Sequence, residues 1–181
     1  MLQITIPAKE LWDESRERFI TIKEQRLQLE HSLVSLSKWE SKWNKPFLST
    51  ESRTLEETKD YVRCMTITQN VDPMVYEFIT DDVIEQVNEY INAKMTATWF
   101  NEKKTGKPNN EQTTSEIIYY NMISLNIPFE CQKWHLNRLL TLIRVCDIKN
   151  NPNPKKMSRK EILSQNAAIN EARLRKLNTK G

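Results

Sequence analysis

EIIYYNMISLNIPFECQKWHLNRLLTLIRVCDI, residues 116–148, is the longest predominantly apolar stretch of the chain. It falls into two arms. Ile117, Ile118, Tyr120, Met122, Ile123 and Leu125 make the first. Trp134, Leu136, Leu139, Leu140, Leu142, Ile143, Val145 and Cys146 make the second. Between them stands Asn126-Ile127-Pro128. Proline lacks an amide proton and disfavours a helical residue before it, so a helix is expected on each side of a break at 126–128. The simplest result is a helical hairpin that forms the domain core. Arg138 and Arg144 interrupt the second arm, so it does not read as a membrane span of about 20 mostly apolar residues.

Composition sets the frame around this hairpin. At 181 residues and 38% hydrophobic, the chain can bury a core and carry an appendage. A charged fraction of 28% predicts a soluble protein. Only two glycines are present, which argues against Gly-rich phosphate loops, a nucleophile elbow and a turn-rich all-β fold. The opening MLQITIPAKELWDE lacks the basic and apolar regions of a signal peptide. Cys64, Cys131 and Cys146 are widely spaced and odd in number, fitting buried thiols in a reducing cytosol better than a disulfide framework. The net charge of +3 is unevenly placed: residues 155–181 carry eight basic and two acidic side chains, and the remainder carries 19 basic against 22 acidic.

Ahead of the hairpin, Leu2-Gln3-Ile4-Thr5-Ile6 alternates apolar and polar before Pro7 and predicts a short strand. Arg18 to Lys23 predicts a second, paired with the first around a Leu11-Trp12-Asp13-Glu14 loop. Arg26 to Glu30 extends the sheet or leads into a helix. From Ser32 to Trp43 the period changes to three and four, with Leu33, Leu36 and Trp39 on one face and Ser32 as N-cap. Lys45-Pro46 ends that helix. Thr54 and Glu57 form a capping box for a helix to about Ile67. Asn70 to Pro73 reads as a turn, Met74 to Phe78 as a short helical turn, and Thr80-Asp81-Asp82 as the cap of a helix to about Ile91. Met95 to Phe100 is weakly strand-like, and 101–112 reads as an exposed polar loop. Thr113 to Glu116 is a second capping box and Ser158 to Glu161 a third. The apolar face of the last helix is thin, so a partner is expected to order it.

Candidate chemistry is sparse. His31 and His135 are the only histidines, and no cysteines stand at C-x2-C spacing. Cys131 and His135, four apart on an expected helix face, could supply two metal ligands or a Cys–His pair. Buried core residues are the competing reading. Asp81-Asp82 and Glu56-Glu57 lie in first helical turns, where the helix dipole accounts for them. Trp39 and Trp43, with Lys38 and Lys42 beside them, read as a base-stacking platform or as two core anchors. The basic tail reads as a nucleic-acid arm, as a segment that folds on a protein partner, or as a solvated extension. No cofactor and no catalytic residue is expected, and the chain reads as a non-enzyme.

The strings LEHSLVSLSKWESKWNKPFL (29–48), RCMTITQNVDP (63–73), SLNIPFECQKWHLNRLLTLIRV (124–145) and MSRKEILSQNAAINEARLRK (157–176) resemble a family of small proteins encoded among the late structural genes of tailed bacteriophages and prophages of Gram-positive hosts. The resemblance runs over most of the chain and carries no catalytic signature. It implies a tail assembly chaperone of a siphophage, which binds the tape-measure and tail-tube proteins during morphogenesis in the host cytoplasm. One alternative is a tail, neck or baseplate component retained in the virion. Another is a packaging or regulatory protein that binds nucleic acid through the tail. A homo-oligomer is compatible with each, and no membrane partner is implied.

The resulting expectation is an α+β fold, mostly α. A small N-terminal antiparallel sheet packs on a helical core, and a basic helical tail follows. The domain spans 1–149 with an N-terminal β-hairpin, a Pro/Asn linker 150–157, and the tail 158–181. The expected core includes Leu33, Leu36, Trp39, Trp134, Leu139, Leu140 and Ile143. Partner binding is assigned to Lys155, Lys156, Arg159, Lys160, Ile162, Leu163, Ile169, Arg173, Leu174, Arg175, Lys176 and Leu177.

Overall fold

The computed structural model describes residues 1–13, 17–49, 52–100, 112–150 and 159–177. The chain is α+β and mostly helical, with its strands near the N-terminus. It divides into two units, Met1–Cys146 and Asp147–Gly181. Most of the loop expected over 101–112 and of the linker expected over 150–157 lies outside the described residues, as does the Ser158 cap.

Four short strands open the chain: β1 (Leu2–Ile6), β2 (Lys9–Asp13), β3 (Arg18–Ile22) and β4 (Gln25–Leu29). β1 pairs antiparallel with β4, from Leu2 opposite Leu29 to Ile6 opposite Gln25. β2 pairs antiparallel with β3, from Lys9 opposite Ile22 to Asp13 opposite Arg18. Both pairings keep one register, so they form one ribbon interrupted at Pro7-Ala8 and Lys23-Glu24, where Pro7 has no amide to donate. Ile4, Ile6, Leu27 and Leu29 bury one face of its base. The outer edge of β4 is partly covered: Ile67 N donates to Gln28 O at 2.8 Å and Glu30 N to Met65 O at 2.9 Å.

This corrects the expected pairing. Residues 11–13 are strand, not loop, and the partner of 18–22 is 9–13, not 2–6. The acidic residues of Lys9–Asp13 have low strand propensity and hid it. The cross-strand Trp12–Phe19 pair, with centroids 4.9 Å apart edge to face, supports the local pairing.

Helix α1 (Leu33–Trp43) follows, opened by a reciprocal cap between Ser32 and Ser35 and closed by Asn44 in the left-handed region at φ 51°. It packs against α2 (Leu55–Met65), against α4 (Ser115–Ser124) and against the 3-10 helix Phe129–Lys133. Leu33, Leu36 and Trp39 are buried at that junction. The Thr54 box holds α2 as expected: Thr54 Oγ1 accepts from Glu57 N, and Glu57 Oε2 accepts from Thr54 N. A 3-10 helix, Pro73–Phe78, is capped by Asp72, and α3 (Asp81–Asn92) buries Val83, Val87 and Tyr90. Thr80 stands at the N-cap of α3 but its side chain makes no capping bond. Residues 95–100 form no strand.

The central stretch breaks where the proline predicts. α4 ends at Ser124, Asn126 turns through φ 52°, and Ile127 N returns to Met122 O at 2.8 Å. A 3-10 helix then separates α4 from α5 (Leu136–Asn150). The hub is therefore α1 rather than a 116–148 hairpin. Leu139 is buried with it, while Trp134, Leu140 and Ile143 pack partly buried at the margin. The second capping box is not formed. Thr114, not Thr113, is the N-cap of α4, and its side chain makes no capping bond. Ser115 N donates instead to Glu40 Oε2 of α1, at 2.8 Å.

Candidate functional site

The tail assigned to partner binding is a helix, α6 (Arg159–Leu177), of 19 residues. Its apolar residues are spread around the axis with no dominant face. Arg159, Leu163, Ile169, Arg173 and Leu174 are exposed. Lys160, Ile162, Arg175, Lys176 and Leu177 fall within the helical span, and Lys155 and Lys156 lie outside the described residues. A single helix of this length is marginal in water without packing. A helix that leaves Leu163, Ile169 and Leu174 in water has apolar area to bury on binding.

The first unit carries exposed apolar surface of its own. Trp12 and Phe19 stand out from the ribbon, 52% and 68% exposed. On α4 and the following 3-10 helix, Tyr120, Ile123 and Phe129 are exposed. Phe129 stacks on Tyr119, whose hydroxyl donates to Gln132 Oε1 at 2.9 Å. Tyr120 and Ile123, three apart on α4, share one side of that helix. Tyr120 and Ile123 were expected in the core. The legible signal was that α4 is apolar on nearly every side, more than one buried face can use.

The pieces expected to carry metal or thiol chemistry are arranged otherwise. Cys131 lies in a 3-10 helix and His135 beyond its end, so they share no helix face. Burial pushes the Cys131 thiol up, and burial first raises Cys64 to about 11. Among the described residues, no three His, Cys, Asp or Glu side chains gather where they could hold a metal ion. His135 instead meets His31, the rings edge to face with centroids 5.1 Å apart. His135 Nε2 donates to Tyr90 O at 3.0 Å, which leaves Nδ1 to accept from Asn137 N. His31 Nδ1 lies 2.6 Å from Tyr61 Oη. Burial, then the neighbouring His135 and Arg53, lowers His31 to about 3, and burial raises Tyr61. Both groups are therefore neutral and share one hydrogen bond. The pair is a satisfied polar element of the core, and nothing in the local sequence brings its members together.

The two tryptophans of α1 serve packing. Trp39 is buried and its Nε1 donates to Glu57 O at 2.9 Å. Trp43 is half-buried and donates to Asp60 Oδ2 at 2.9 Å, beside the Lys42–Asp60 ion pair. No helix among the described residues is long and apolar enough to cross a membrane. No protein-family model, no curated protein and no solved structure matches this chain.

Proposed function

We propose that the protein is a non-enzymatic morphogenesis factor of a tailed bacteriophage: a tail assembly chaperone that binds tape-measure and tail-tube proteins in the host cytoplasm. The observation that carries this reading is α6, a 19-residue basic helix with Leu163, Ile169 and Leu174 exposed. Those exposed side chains give the helix apolar surface to bury on a partner protein. The aromatic and aliphatic groups at Tyr120, Ile123 and Phe129 supply a second apolar surface for a long helical client. Sequence resemblance to late phage proteins directs the choice of client.

The test is co-purification from phage-producing cells. The reading expects tape-measure or tail-tube protein to remain bound at moderate salt, and the chaperone to be absent from purified virions. Its presence in purified virions would favour a tail, neck or baseplate component instead. Capture of nucleic acid alone would move the tail to the nucleic-acid arm.

A further inference from the structure

A cleft of about 650 Å³ lies between the C-terminal end of α3, the segment 94–100 and the start of α5. Trp99 forms one wall and is 78% exposed, the most exposed large apolar side chain described. Beside it the Arg144 guanidinium lies over the Phe100 ring, 4.1 Å from its centroid. A tryptophan left so open beside an anchored neighbour offers a flat face for stacking.

The polar groups that line the cleft offer both donors and acceptors. Asn137 spends its amide protons on Ile91 O at 2.9 Å and Ala93 O at 2.8 Å. Its orientation is thereby set and Oδ1 remains to accept. Asn92 Nδ2 donates one proton to Asn88 O at 2.8 Å, which leaves its Oδ1 to accept and its other amide proton to give. Thr141 Oγ1 donates to Asn137 O at 2.8 Å and keeps its lone pairs. Thr96 Oγ1 accepts from Thr98 N at 3.1 Å and keeps its proton to give. Lys94 adds a cationic donor, and no carboxylate is among the described lining residues.

We infer that this cleft binds a neutral saccharide, one ring stacked on Trp99 and its hydroxyls bonded to Asn92, Asn137, Thr141 and Thr96. A sugar hydroxyl both donates and accepts, so it satisfies acceptors and donors set side by side. A polyproline run stacks equally well on an aromatic face but has no N–H for the acceptors. A single-stranded nucleic acid would find few cations for its phosphates: Lys94 among the described lining residues, and Arg144 held over the Phe100 ring.

The site and the client surfaces use different residues, so either can hold without the other. The test is calorimetric titration of the full chain with chitotetraose, cellotetraose and maltotetraose, and with decaproline and oligothymidylate for contrast. At least one tetrasaccharide binds with a Kd of about 1 mM or tighter. Trp99→Ala weakens it about tenfold or more, Trp99→Phe weakens it less, and the distant exposed change Ile67→Ala leaves it unaltered. Trp99 is exposed, so its loss does not unfold the chain, and far-ultraviolet circular dichroism of each variant checks this. The inference is overturned if no tetrasaccharide binds at about 10 mM, if Trp99→Ala binds as well as the parent, or if decaproline or oligothymidylate is what Trp99 holds.

Discussion

Glu40 sits in the middle of α1, where its sequence context gives it only the look of a surface charge. It is 7% exposed, and its two carboxylate oxygens accept from Phe47 N and from Ser115 N, each at 2.8 Å. One side chain thus fixes the loop after α1 and caps α4 from another helix. Glu40→Ala strands two buried amides and should cost about 2–4 kcal/mol in urea unfolding at pH 7, and Glu40→Gln, with one acceptor, about half of that. No local sequence pattern marks a contact that spans 75 positions. The Thr113–Glu116 motif is visible in the sequence and unused, because the N-cap of α4 is Thr114, which puts Ile117 rather than Glu116 at the third helical position. His31 makes a second prediction at this scale. Its folded-state pKa is lowered from 6.5 to about 3. Between those values the unfolded chain binds a proton that the folded chain refuses. Stability is therefore full above pH 6.5 and falls as pH drops toward 3, by roughly 1.4 kcal/mol per pH unit from this group. Urea midpoints between pH 7 and pH 4 should show that decline. His31→Gln keeps a hydrogen-bonding partner for Tyr61 and should flatten the decline, leaving the smaller share of His135, whose pKa burial also lowers.

The ribbon separates stability from surface at the scale of an element. Leu27 is buried at its base, whereas Trp12 is exposed on its distal half. Leu27→Ala should cost about 2–5 kcal/mol by urea unfolding. Trp12→Ala removes only the edge-to-face contact with Phe19 and should cost about 0.5–1.5 kcal/mol. Equal costs would mean that the distal half is not an exposed extension of the base. Elements were legible wherever period and cap agreed. Ser32 with Leu33, Leu36 and Trp39 gave α1, and Thr54 with Glu57 gave α2. Strand existence followed from the alternation at 2–6, but strand pairing did not. Two antiparallel partners were available to β1, and the alternation at 2–6 does not choose between them. Met95–Phe100 shows the reverse error. It reads as weakly strand-like, yet it lines one wall of the Trp99 cleft with no strand partner among the described residues.

For the whole molecule, composition and period were enough to give an α+β fold with most of its residues in helices. They missed which element lies at the centre. The 116–148 stretch is the most apolar part of the chain. However, α1 is the element that meets α2, α4 and the 3-10 helix at 129–133. Part of the apolar content of 116–148 faces solvent at Tyr120, Ile123 and Phe129. Hydrophobicity alone cannot tell a core face from a face kept for a partner. That distinction leads to the central functional claim, that the basic helix at the end of the chain is an arm for a protein client. The most direct measurement is a pull-down from phage-producing cells at about 0.3 M salt, where screening shortens electrostatic reach to roughly 5 Å. It compares the full chain with a version ending at Pro154, and identifies captured protein and nucleic acid together. The account predicts that the full chain retains a tape-measure or tail-tube protein and that the shortened chain loses it. Nucleic acid alone on the full chain, stripped as salt rises, would contradict it.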